Sequence, residues 1–166
     1  MSSTTTAGSA ASAVYTRLTM TVKDAALEAA KKARPQWHLI DAKDQVVGRI
    51  ASQIAPILRG QHKPFFSPNT DCGDFVVVVN ARHIAFTGRK MKDKLYYWHT
   101  MHPGGLKSRT PQQLIERGQS EEILRHAVLG MLPKNSLRHQ VIKKLRVFPE
   151  KYHIYEDQLR GKQPLM

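Results

Sequence analysis

The stretch DFVVVVNA, residues 74–81, decides the fold class. Four consecutive valines show no alternation between an apolar and a polar side. As a strand, such a β-branched run is buried on both faces, which is the position of a central strand in a parallel sheet. Its neighbours supply more elements. WHLIDA (37–42) is a short strand candidate. QVVGRIASQIAPILRG (45–60) places Val47, Ile50, Ala51, Ile54 and Leu58 at helical spacing, with Gly60 as the stop. Pro56 lies inside that helix and predicts a kink, because it lacks the amide that would bond the Ser52 carbonyl.

Downstream, RHIAFTG (82–88) reads as a second strand and DKLYYWHT (93–100) as a third, followed by a loop, MHPGGLKSRT (101–110). TPQQLIERG (110–118) opens a helix, with Thr110 as cap, Pro111 in the first turn and Gln113 completing a capping box. SEEILRHAVLGML (120–132) predicts another, capped by Ser120, and Pro133 stops it. SLRHQVIKKL (136–145) is a third helix and RVF (146–148) a last strand. Upstream, TVKDAALEAAKKARP (21–35) is rich in helix formers. Strands interleaved with helices, without internal repeats, predict one α/β domain with a mainly parallel sheet.

Composition narrows the function. The chain has 166 residues, and 26 lysines and arginines against 13 acids give a net charge of +13. That excess favours a polyanionic partner over a merely solvated basic surface. The single cysteine, Cys72, excludes an internal disulfide framework and a Cys-rich zinc site. No window approaches the run of about 18 apolar residues that a membrane span needs.

The cations cluster. Residues 81–109 hold Arg82, Arg89, Lys90, Lys92, Lys94, Lys107 and Arg109 against Asp93 alone. Residues 134–151 hold Lys134, Arg138, Lys143, Lys144, Arg146 and Lys151 against Glu150. Two separated basic segments predict surfaces that follow a phosphate backbone. Tyr96, Tyr97 and Trp98 offer stacking surfaces, although at least two of them are expected to serve the core or a strand edge.

Catalytic signals are weak. PGGLKS (103–108) fails the phosphate-loop pattern because Leu106 separates Gly105 from Lys107. The glycines still allow close approach of a backbone to a phosphate. No glycine fingerprint for a dinucleotide follows a strand. His99 and His102 lack a third metal ligand at a convincing spacing. Asp41, Asp44, Asp71 and Asp74 read as turn and cap residues. No catalytic residue, metal, cofactor or small-molecule substrate is expected.

Four stretches carry a resemblance. They are WHLIDAKDQVVGRIASQIAPILRGQHKP (37–64), DCGDFVVVVNARHIAFTGRK (71–90), KLYYWHTMHPGGLK (94–107) and AVLGMLPKNSLRHQVIKKLRVF (127–148). In order and spacing the chain resembles the universal large-ribosomal-subunit protein L-thirteen family. The resemblance implies a non-enzymatic protein with a three-layer α/β/α core, bound to large-subunit rRNA and to neighbouring large-subunit proteins. Its implied RNA contacts are His62, Lys63, Arg82, Thr87, Gly88, Arg89, Lys90, Lys94, His99, Gly104, Gly105, Lys107, Lys134 and Asn135. Charge alone adds Arg109, Arg138, Lys143, Lys144 and Arg146. Reversing Lys134 or Lys144 is expected to weaken rRNA incorporation with the fold intact.

The chain departs from the bacterial pattern at Gln61, Pro56 and Arg138, and FPEKYHIYEDQL (148–159) lacks a His-Pro-His segment. Residues 1–20 contain no acid, as in a transit segment, but only one arginine, Arg17, which argues against one; the other reading is a disordered tail. The 148–159 segment, with DCGD (71–74), RHIAF (82–86) and the acid-free N-terminus, resembles the mitochondrial branch, with a chloroplast or bacterial ribosome as the alternative. The expected organisation is an extension at 1–34, an rRNA-binding domain at 35–148 and a tail at 149–166. Two rivals remain: a nucleotide-binding enzyme on a Rossmann-like core, and an mRNA-binding regulator acting away from the ribosome.

Overall fold

The computed structural model describes residues 34–160. The helix expected at 21–35 and the N-terminal extension lie almost wholly outside them. Strands β1 (Trp37–Asp41), β2 (Phe75–Val79) and β5 (Leu145–Val147) form a sheet in the order β1-β2-β5, all parallel. The valine run is the central strand, and Val76 to Val79 are all buried, as its composition required.

Alternation along β2 divides the core. Val76 and Val78 face helices α1 (Val47–Arg59) and α4 (Ser120–Met131), among Ile50, Ile54, Ile123, Leu124 and Val128. Val77 and Val79 face the other side, where Leu159 of the short helix α6 (Glu156–Leu159) packs with Trp37, Leu39, Phe148 and Tyr155. Burying one fully exposed valine side chain stabilises by roughly 1.5 kcal/mol or more, so the run both directs and stabilises the sheet.

Several local expectations hold. Helix α1 buries Val47, Ile50, Ala51, Ile54 and Leu58 and ends at Gly60 with φ 79°. Helix α3 (Pro111–Glu116) has a complete capping box: the Gln113 amide donates to Thr110 Oγ1 at 3.3 Å, and the Thr110 amide donates to Gln113 Oε1 at 3.2 Å.

Other elements differ from the expectation. Ser120 does not cap α4. Gln119 holds that position, and Ser120 is the buried first helical residue. Residues 82–88 are not a strand. Asn80 turns left-handed at φ 58° and ends β2, and a 3-10 turn at Ala81–His83 follows. Only Ala85 bridges Val46. The loop at 101–110 contains a strand, β4 (Leu106–Arg109), antiparallel to β3 (Tyr96–His99). The helix at 136–145 is interrupted, with α5 (Arg138–Val141) passing into a 3-10 turn at Ile142–Lys144. The four-residue α2 (Lys90–Asp93) precedes the hairpin. Among the described residues, no helix is long and apolar enough to cross a membrane.

Candidate nucleic-acid interface

The connection from α1 to β2, residues 60–74, is built around one carboxylate. Asp74 stands just before the valine run and is fully buried. A bare buried carboxylate is costly, and here every lone-pair direction has a donor. Oδ1 accepts from the Gln36 amide at 2.8 Å and from the Lys63 ammonium. Oδ2 pairs with His38 Nε2 at 3.1 Å and His62 Nε2 at 3.0 Å. Burial raises the Asp74 pKa, but hydrogen bonds from Lys63, the Gln36 amide and His38, with the Lys63 charge, more than offset it. The net result lies below the ordinary value of 3.8.

His38, His62 and Asp74 offer three ligand atoms within 4.8 Å of one another, the spacing of a metal site. Lys63 holds a positive charge on the same carboxylate, and both imidazoles already pair with Oδ2. The donor set therefore serves as a hydrogen-bonded hub that staples residues 36, 38, 62 and 63 to the start of β2.

This hub changes the reading of the expected RNA contacts. Lys63 points inward, its side chain 10% exposed, and also donates to the Cys72 carbonyl at 2.9 Å. Lys144 is half-buried and donates to Asp71 Oδ1 at 2.7 Å and to the Gly73 carbonyl at 2.9 Å. Reversing Lys144 would place a glutamate against Asp71, so the expectation that the fold would survive is corrected here; Lys134 is exposed and remains a clean test. The guanidinium of Arg138 donates to the carbonyl of Leu129 in the last turn of α4. It thus satisfies an orphan carbonyl and places a cation at the negative end of the helix. Asn135 Oδ1 accepts from the Arg138 amide at 3.1 Å and starts the following turn. Arg138→Ala is expected to cost about 1–2 kcal/mol, a fall in Tm of roughly 3–6 °C. An unchanged Tm with weakened RNA binding would instead assign the side chain to RNA.

The remaining cations face solvent. Arg82, Arg89, Lys90, Lys94, Lys107, Lys134, Lys143 and Arg146 are exposed, as are His62, Thr87, Gly88, His99 and Gly104. Lys90 donates to Thr87 Oγ1 at 3.0 Å. His99 Nδ1 accepts from the Met101 amide at 2.9 Å. Arg109 donates to Gln119 Oε1 at 3.2 Å and lies over Trp98 at 4.4 Å. Gly105 is buried in the hairpin turn, where an added Cβ would lie 2.2 Å from Thr100 Oγ1 and 2.7 Å from the His102 carbonyl. Its smallness serves the turn rather than an approaching phosphate.

Parallel strands give the sheet two unlike ends, and cations lie at both; the second basic segment reaches each of them, with Lys144 where β2 begins and Lys151 in a cleft with Asn80 and His83 where it ends. Lys63, Lys144 and His62 gather where β2 begins. Pro133, Asn135 and Arg138 join that end through a shared cleft with Arg59 and Asp71. Arg82 follows the other end of β2, and its amide donates to the Pro149 carbonyl beyond β5. The hairpin lies beside the first half of α4, with Tyr96 stacked on His126 at 5.8 Å.

A family model described as Ribosomal protein L13 matches residues 35–154, more than half of the chain. The chain belongs to the ribosomal protein L13 family. The family match contains the hub, both basic segments and the hairpin. Several similar proteins come from bacteria. The large ribosomal subunit protein uL13 of Aquifex aeolicus is 50% identical over 123 residues, which cover 74% of this chain and 85% of that protein. That of Geobacter sulfurreducens is 52% identical over 122 residues, with 74% and 85% covered. That of Trichlorobacter lovleyi is 50% identical over 133 residues, with 79% and 93% covered.

Sequence reasoning missed the Asp74 hub. It read Asp74 as a turn residue and did not connect it with His38, 36 positions earlier. The available signal was a carboxylate immediately before a run too apolar to tolerate an unpaired charge.

Proposed function

We propose that this protein is a non-enzymatic structural constituent of the large ribosomal subunit that binds and scaffolds large-subunit rRNA. The observation that carries this reading is the presence of exposed cations at both ends of one parallel sheet. Cations at both ends hold two RNA segments at a separation set by the domain. Phosphate contacts of this kind position RNA without reading its sequence. The partners are large-subunit rRNA and neighbouring large-subunit proteins, and the core is the three-layer α/β/α form.

The contacts at one end are Arg82, Thr87, Gly88, Arg89, Lys90, Lys94, His99, Lys107 and Arg109, and at the other His62, Lys134, Asn135 and Lys143. Lys63, Lys144 and Arg138 act indirectly, by holding the loops that carry these groups. Arg146 shares a cleft with Glu121 and Glu122, which lowers its attraction for phosphate. The location is the mitochondrial ribosome, supported by the acid-free residues 1–20 and the C-terminal FPEKYHIYEDQL. The bacterial relatives lend that compartment no specific support and fit a bacterial ribosome equally.

Sedimentation of a gently lysed extract tests the ribosomal role: the protein should travel with large subunits, and recovery only in free fractions would sink it. Binding tests the contacts. Reversal of both Arg89 and Lys90 to Glu should weaken rRNA binding and reduce the slope of log affinity against log salt by about 2. The melting temperature should not move, because both side chains are exposed. An unchanged slope would remove these two residues from the interface.

A further inference from the structure

We propose that the outward face of the β3–β4 hairpin is a stacking platform for an unpaired nucleotide base, with Tyr97 as the stacking residue. This inference rests on the rRNA-binding reading above and names what that end of the domain recognises.

The register divides the hairpin into two faces. Tyr96 pairs with Arg109, Tyr97 with Ser108, Trp98 with Lys107 and His99 with Leu106. Alternation then places Tyr96, Trp98, Lys107 and Arg109 on one side, and Tyr97, His99, Leu106 and Ser108 on the other. The first side is occupied. Tyr96 stacks on His126 at 5.8 Å, and the Arg109 guanidinium covers Trp98 at 4.4 Å while tied to Gln119. The second side is bare. Tyr97 is 63% exposed and Leu106 65% exposed. Of the three consecutive aromatics, Tyr97 alone keeps an open ring on the bare side.

The surroundings point to RNA rather than to protein. Exposed Lys94 and Lys107 belong to the Tyr96 side, Lys94 with its ammonium over the Tyr96 ring at 5.2 Å, so they flank the platform from across the two-stranded ribbon rather than line it. Asp93 is the only acid between residues 81 and 109. An apolar protein patch would gain nothing from so basic a segment, whereas a splayed nucleotide brings phosphates on both sides of its base, which cations at the edges of a two-stranded ribbon can meet. The Met101 amide donates to His99 Nδ1, leaving the ring proton on Nε2, where it can donate to a phosphate or base edge. Ser108, directly opposite Tyr97, supplies a hydroxyl that can reach a ribose 2′-OH. Stacking on an aromatic ring tolerates any base, so the platform selects for unpaired structure rather than sequence.

The test measures binding of full-length protein to large-subunit rRNA across a salt series, for wild type, Tyr97→Ala, Tyr97→Phe and Lys94→Ala. Tyr97→Ala should weaken binding by roughly 5- to 150-fold, the range for loss of one stacked base. Its salt slope should match wild type, because no charge is removed, while Lys94→Ala should lower the slope by about 1. Tyr97→Phe should bind as wild type. Ultraviolet crosslinking of the wild-type complex should join Tyr97 to a nucleotide outside the rRNA helices. If wild type binds and Tyr97→Ala binds equally well, the platform is overturned. It is equally overturned if Tyr97→Ala binds rRNA normally but is excluded from assembled subunits, since the face is then covered by protein. If wild type fails to bind rRNA at all, the broader rRNA reading falls, and the platform with it.

Discussion

Gly73→Ala is expected to lower the melting temperature by about 10 °C or more, a cost of about 4 kcal/mol or above. A Cβ on Gly73 would stand 1.6 Å from the Leu58 carbonyl oxygen and 2.6 Å from its carbon. Both atoms are backbone in the last turn of a well-packed helix and have no rotamer to escape into. The mirror contact is equally tight: a Cβ on Gly60 would lie 2.5 Å from the Cys72 carbonyl oxygen, at φ 79°. The end of α1 and the approach to β2 therefore meet backbone against backbone, with a glycine on each side.

Displacing Gly73 has further consequences. The Asp74 amide donates to the Ile57 carbonyl at 3.2 Å, and the Gly73 carbonyl accepts from Lys144. Both bonds would be lost, and Asp74 would be drawn away from Lys63 and His62. Thermal unfolding followed by circular dichroism checks this. A Tm within about 2 °C of wild type would show that the chain relaxes around the methyl group and that the close approach is not required.

Asp74→Asn is the second large effect. The amide keeps the volume but removes the charge, leaving the Lys63 ammonium without its carboxylate at a site where its side chain is only 10% exposed. Breaking a buried pair from one side costs about 3–5 kcal/mol, and the lower figure applies because the flexible Lys63 stem can swing towards water. The variant also changes the acid limb of the stability curve. Asp74 has a folded-state pKa below its ordinary 3.8, because hydrogen bonds from Lys63, the Gln36 amide and His38 outweigh the upward push of burial. A depressed carboxylate contributes stability that is fully present above the unfolded pKa and lost as pH falls through the folded one. The wild-type advantage over Asp74→Asn should therefore be constant above about pH 4.5 and shrink below about 3.8, the ordinary value for an aspartate. Denaturant titrations between pH 3 and 6 measure it. A gap that stayed constant down to the lowest pH would mean that the lost stability does not come from the ionised carboxylate.

These effects fall at residues whose sequence reading was least informative. The parallel sheet was legible because its signal is local: four valines in a row are compatible with one environment, and the structure supplies it in β2. The same holds for α1, where five apolar residues at helical spacing need one buried face, and for α3, whose capping residues are three positions apart. The hairpin was half legible. Tyr96 to His99 reads as a strand from its aromatics, whereas Leu106 to Arg109 is a leucine followed by Lys-Ser-Arg and carries no pattern of its own. Its strand character comes from the partner that it pairs with.

Charge shows the boundary most clearly. By itself the sequence determined the class of sheet, the main helices, the positive balance and the two segments in which it is concentrated, because each follows from residues close together in the chain. Tertiary structure alone decided which cations are free. Lys63, Lys144 and Arg138 look like Arg89 or Lys134 in a list of residues, yet they hold Asp74, Asp71 and the end of α4. Lys144 reaches a carboxylate 73 positions away. Coulomb attraction and hydrogen bonding act through space, so the partner of a long cationic side chain is settled only once packing brings distant segments together.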